Sequence, residues 1–60
     1  MHTIHYKDGA QDVVGRLPDS NEILARNDRG KYLRAILKGA RARAQNGSWH
    51  RWSGRDWVAE

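Results

Sequence analysis

Seven basic residues fall between Arg26 and Arg43, namely Arg26, Arg29, Lys31, Arg34, Lys38, Arg41 and Arg43, with Asp28 the one acid among them. This segment carries +6 and the rest of the chain −2, so the formal net charge of +4 is concentrated in one place. Clustered ammonium and guanidinium groups raise the local concentration of polyanions and hold phosphates through charge-assisted hydrogen bonds. No acid follows Asp28 until Asp56. A merely solvated helix face mixes signs, with acids placed to pair at i, i+4. The excess therefore points to a binding stripe of Lys31, Arg34, Lys38 and Arg41, flanked by Arg29 and Arg43. Phosphate contacts of this kind position a protein without reading sequence.

The aromatic residues offer a second chemistry. Trp49, Trp52 and Trp57 crowd the last dozen residues, joined by Arg51 and Arg55. A Trp on a sheet face stacks on unpaired bases or anchors a protein interface. A chain with no Phe and no Cys also needs bulky aromatics for its core. Two of the three Trp residues are assigned to the core, and Trp49 or Trp52 to a contact surface with Arg51 and Arg55.

Catalytic chemistry finds no matching pattern. His5 and Asp12 would make a base and its orienting group, but a hydrolytic site also needs a nucleophile, and Thr3 is the one hydroxyl close by in sequence. A cross-strand polar pair accounts for them. His2 and His5 fall on opposite faces of an extended strand, a poor arrangement for a metal, and the absence of Cys removes thiolate zinc sites and disulfides. There is no Gly-rich phosphate loop. The expectation is a protein that is not an enzyme and has no metal and no cofactor. Asn46-Gly47-Ser48 fits a glycosylation sequon, but without a secretion signal it reads as a turn.

Sixty residues make one domain near the lower limit of independent folding. A core of this size supplies roughly 3–5 kcal/mol, so aromatic packing, a homodimer or a larger partner must compensate. No apolar run approaches the roughly 18 residues of a membrane span. The first residues lack an apolar signal segment. A soluble cytoplasmic protein, of a bacterium or of a phage-infected host cell, is the expectation.

The elements that must carry these residues follow from turn and cap chemistry. Residues 2–17 read as a hairpin around Asp8-Gly9. A two-residue turn would set Ile4 opposite Val13, with Ile4, Tyr6 and Val13 on one face and His5 and Asp12 on the other. Pro18 stops the strand. Asp19 with Glu22 three residues on resembles a capping box and predicts a helical start, with Ile23 and Leu24 opening its apolar side. Asn27-Asp28 and Gly30 interrupt the pattern within 19–45. Either one helix continues through them with a loss of about 1 kcal/mol at Gly30, or it breaks and Asp28 caps a second helix. A short first helix or turn before the main helix is favoured. The main helix is predicted over about 29–45. Tyr32, Leu33, Ile36, Leu37, Ala40 and Ala44 then fill an apolar arc about 140° wide, with Asn46-Gly47 as the stop. Residues 48–60 read as a second hairpin. Gly54 in the first central position of a type II′ turn puts Trp52 opposite Trp57 and Arg51 opposite Val58.

The predicted fold is therefore α+β, a single small domain ordered ββ-α-ββ, with two antiparallel hairpins and one main amphipathic helix packed across them. No helix-turn-helix, RNA-recognition or zinc-finger signature is present. The expected role is a small nucleic-acid-binding or regulatory module using its basic helix face on DNA or RNA. The alternative is a small inhibitor or adaptor, of the anti-host or anti-defence kind that phages encode, docking on an acidic protein surface or nucleoprotein complex. A membrane-surface role is disfavoured because the apolar helix face is needed for packing.

Overall fold

The computed structural model describes residues 1–24 and 27–60, with side chains outside positions 24–31. Arg26, the capping role of Asp28, the apolar placement of Leu24 and the side chains of Arg29 and Lys31 thus lie outside the described residues. The elements are β1 (His2–His5), β2 (Gln11–Val14), α1 (Ser20–Leu24), α2 (Asn27–Leu37), β3 (Arg41–Ala44), β4 (Trp49–Trp52) and β5 (Trp57–Ala59). The strands form one five-stranded antiparallel sheet in the order β2-β1-β3-β4-β5. The class is α+β, but the order is ββ-αα-βββ and not ββ-α-ββ, with a short α1 before α2 and strand β3 in place of the later part of the predicted main helix. No described helix is long and apolar enough to cross a membrane.

The main helix predicted over about 29–45 ends instead at Leu37. Gly39 takes φ +79°, and the Ala40 N–H donates to the Leu37 carbonyl at 2.8 Å. A left-handed residue just past the last turn closes a helix and redirects the chain, and glycine does this without steric cost. The Arg-Ala-Arg-Ala run that follows is strand β3. Its alternation has the period of a strand, with alanines facing in and arginines facing out. Helix propensity in Ala and Arg is worth only tenths of a kcal/mol per residue. A strand hydrogen-bonded on both sides, to β1 and to β4, outweighs it. Asn46-Gly47 is consequently the β3–β4 turn and not a helix stop. The Gly47 N–H bonds the Ala44 carbonyl at 2.9 Å, and the Asn46 side-chain oxygen accepts from the Ser48 N–H at 3.0 Å.

The first hairpin forms where expected, one residue out of the expected register. Ile4 faces Asp12, and Thr3 faces Val13. The loop has three residues, Lys7-Asp8-Gly9. It is closed by the Tyr6 N–H to the Ala10 carbonyl at 2.9 Å and the Gly9 N–H to the Tyr6 carbonyl at 3.0 Å. The Asp8 carboxylate takes the Ala10 N–H at 2.9 Å, and Gly9 sits at φ +95°, as a glycine-bulged three-residue loop requires. A one-residue slip moves every side chain to the other face. Asp12 therefore lies on the helix side near Tyr6, and His5 and Asp12 do not meet. Val13 points away from the helices and is exposed.

Two local expectations are met. The Glu22 N–H donates to Asp19 Oδ1 at 2.7 Å and the Asp19 N–H to Glu22 Oε2 at 3.4 Å, a capping box at the start of α1. In the last hairpin Trp52 faces Trp57 and Arg51 faces Val58. Gly54 stands at φ +101°, and the Ser53 N–H bonds the Asp56 carbonyl at 2.9 Å.

The core lies between one sheet face and the helices. Ile4, Ile23, Leu37, Ala40, Ala42 and Trp52 are buried, with Tyr6, Val14, Leu17, Leu33 and Trp57 packed around them. Ala42, wholly buried, is a small residue at the centre of a face that helices must approach closely. Trp52 and Trp57 meet edge to face, with ring centroids 5.4 Å apart, and the Trp57 indole N–H donates to the Pro18 carbonyl at 3.1 Å. Tyr32, expected in the apolar arc, is instead exposed. Ile36 is only half-buried.

Candidate functional site

Strand alternation decides which residues reach the second face of the sheet. The pairing aligns Thr3 and His5 of β1 with Val13 and Gln11 of β2. It aligns Arg43 and Arg41 of β3 with Trp49 and Arg51 of β4, and Arg51 in turn with Val58 of β5. All of these lie opposite the buried series Ile4, Ala42 and Trp52, so they share the face that carries no helix. Arg41, Arg43, Arg51, Gln11, Val13 and Val58 are exposed, and Thr3, His5 and Trp49 half-buried.

Trp49 is the centre of this face. The Arg41 guanidinium carbon lies 4.4 Å from its ring centroid and that of Arg43 5.7 Å. The His5 ring is 5.4 Å away, tilted by 40°. Such cation–ring contacts are worth about 0.5–1 kcal/mol each where water reaches them. Arg41 is directly opposite Arg51, and facing like charges repel. Glu60 relieves this. Arg41 Nε donates to Glu60 Oε1 at 2.9 Å and Arg41 Nη2 to Oε2 at 2.6 Å. The hydrogen bond from Arg41, followed by the charges of Arg41 and Arg51, holds the Glu60 carboxyl below the usual range, and the same bond raises the Arg41 guanidinium. No described acid pairs with Arg43 or Arg51. Beside this cluster a shallow depression is lined by Thr3, His5, Gln11, Val13 and Arg43.

The predicted stripe is thus divided between two sides of the molecule. Arg34 and Lys38 are exposed on α2 and the turn after it. They line a groove with Gly39, Ser53 and Gly54, next to exposed Arg55 in the β4–β5 turn. Arg29 and Lys31 belong to α2, with side chains outside the described residues. Arg41 and Arg43 leave the helix altogether and join Arg51 and Trp49 on the sheet. Trp52 is 7% exposed, held under the helices against Trp57, and so drops out as a contact residue.

His5, Thr3 and Glu60 were not among the residues singled out for binding. Alternation could have found them. Once β3 is a strand, Arg41 and Arg43 must face the side of β1 that bears Thr3 and His5, and continuing β5 by one step puts Glu60 on the side of Val58.

A third grouping lies on the helix side. Tyr6 is raised above its ordinary pKa by burial first and by the neighbouring carboxylate of Asp12 second. It lines an open groove with Asp12, Tyr32, Ile36 and Lys38. No family model, curated protein or solved structure matches the chain.

Proposed function

We propose that the chain is a small nucleic-acid-binding module that takes single-stranded DNA or RNA across the helix-free face of its sheet. The observation that carries this is the set of Arg41, Arg43 and Arg51 grouped around the half-buried Trp49. The arginines suit backbone phosphates, because the guanidinium fork matches phosphate oxygens. Trp49, with His5 beside it, supplies an aromatic surface for an unpaired base, which stacks without regard to sequence. A duplex keeps its bases stacked inside and offers none to Trp49. The basic helix residues Arg34 and Lys38 lie on the other layer and contribute long-range attraction only.

Fluorescence anisotropy with a labelled oligothymidylate and its RNA equivalent, at several salt concentrations, tests this. Three phosphate contacts imply that the logarithm of affinity falls against the logarithm of salt with slope of about −2. Arg43→Glu with Arg51→Glu abolishes binding, while Arg34→Glu with Lys38→Glu weakens it modestly. The reverse ranking moves the interface to the helix. No binding at low salt leaves an acidic protein surface as the partner of the same arginines.

A further inference from the structure

We infer that Arg41 is a phosphate subsite whose occupant in the free protein is the carboxylate of Glu60, displaced when a strand binds. This rests on the single-strand reading of the sheet face. Glu60 engages Arg41 through two oxygens, one on Nε and one on Nη2, at 2.9 and 2.6 Å. Two oxygens of a backbone phosphodiester meet the same pair of donors in the same fork geometry. The subsite is therefore already shaped for its ligand, and the acid that shapes it is a chemical likeness of the ligand.

Position makes Glu60 a local competitor. Its own N–H donates to the Trp49 carbonyl at 3.1 Å, fixing its backbone beside the base platform. Its side chain and that of Arg41 both remain accessible to water, at 29% and 52% exposure. An exposed ion pair is weak and exchangeable, which a displaceable occupant must be. The exchange also preserves local charge balance. Arg41 faces Arg51 across the strands, so an anion is needed between them, whether it comes from Glu60 or from the strand. The Arg41 guanidinium lies over Trp49, so the phosphate it receives stands next to the ring that takes the base.

Three variants and one control decide the matter, each read by anisotropy with a labelled oligothymidylate. Glu60→Gln should bind more tightly than the parent, roughly two- to fivefold, the range an exposed ion pair commands. In an Arg41→Gln background the same change should have little effect, because the subsite has gone. Asp56→Asn, which removes an exposed acid in the β4–β5 turn, controls for net charge and should tighten binding less than Glu60→Gln. Unchanged or weaker binding by Glu60→Gln would show that Glu60 positions Arg41 without competing for it. Equal tightening in the Arg41→Gln background, or by Asp56→Asn, would show a bulk charge effect. Either result overturns the subsite. Failure of every variant and of the parent to bind overturns the functional reading beneath it.

Discussion

The two faces of the sheet use the same strands for opposite ends. On the covered face, Ala42 and Trp52 are buried with Ile4 and Leu37, and small and large residues alternate so that the helices can approach. On the open face, the neighbours of those residues are Arg41, Arg43, Trp49 and Arg51, partly or wholly in water. Trp49 and Trp52 differ in fate because they are three positions apart, and an odd spacing puts two strand residues on opposite faces. One indole is packed into a core by another Trp, and the other is packed by cations. The core side is specified by volume and the open side by charge, so the two should respond to mutation independently.

The largest expected effect is on the covered face. Leu37→Ala should cost about 2–5 kcal/mol of stability, most of what so small a domain possesses, and thermal melts would show it. An unchanged melting temperature would contradict the packing described. On the open face, Trp49→Ala should lose about 1–3 kcal/mol of strand affinity while its melting curve stays close to that of the parent. Loss of the fold would break the claim that the faces are separable. Gly39→Ala probes the junction between them. A side chain at φ +79° is strained, and its Cβ would stand 3.2 Å from the Lys7 side chain. A destabilisation of about 1–2 kcal/mol is expected, readable in urea titrations. A neutral result would argue that helix α2 does not need this turn to give way to β3.

The smallest effect is that of pH. The Glu60 carboxyl is held low by Arg41. Its pairing therefore contributes above the ordinary glutamate pKa, about 4.3, and is lost as pH falls through the lowered value in the folded protein. The difference in melting temperature between the parent and Glu60→Gln should shrink on acidification across that window. A difference that persists well below it would mean that the pair adds nothing to stability.

Much of this was legible where local chemistry acts alone. The capping box at Asp19 and Glu22 and the Gly54 turn each involve residues three or fewer apart, and both formed as expected. The Trp52–Trp57 register followed from that turn. The first hairpin slipped because Val13 and Val14 are both apolar, so the hydrophobic pattern could not choose a face. The choice fell to Asp8 and the three-residue loop. Residues 40–44 misled for a different reason. Ala-Arg-Ala-Arg-Ala fits a helix by propensity and a strand by alternation, and only pairing with β1 and β4, distant in sequence, decides. The basic stripe lost Arg41 and the flanking Arg43 by that decision. In exchange, Arg41 and Arg43 were brought to Trp49 and Arg51 on a single face, which the helical reading had kept apart.

The proposed interface with a single strand is the helix-free face of the sheet and not the helix. Chemical-shift mapping of isotopically labelled protein during titration with unlabelled oligothymidylate tests it most directly. The expected result is that the largest changes fall on Thr3, His5, Arg41, Arg43, Arg51 and the Trp49 indole N–H, with Arg34, Lys38 and the Trp52 indole N–H little affected. Changes concentrated on α2 and the β4–β5 turn, with the Trp49 indole N–H unmoved, would contradict it.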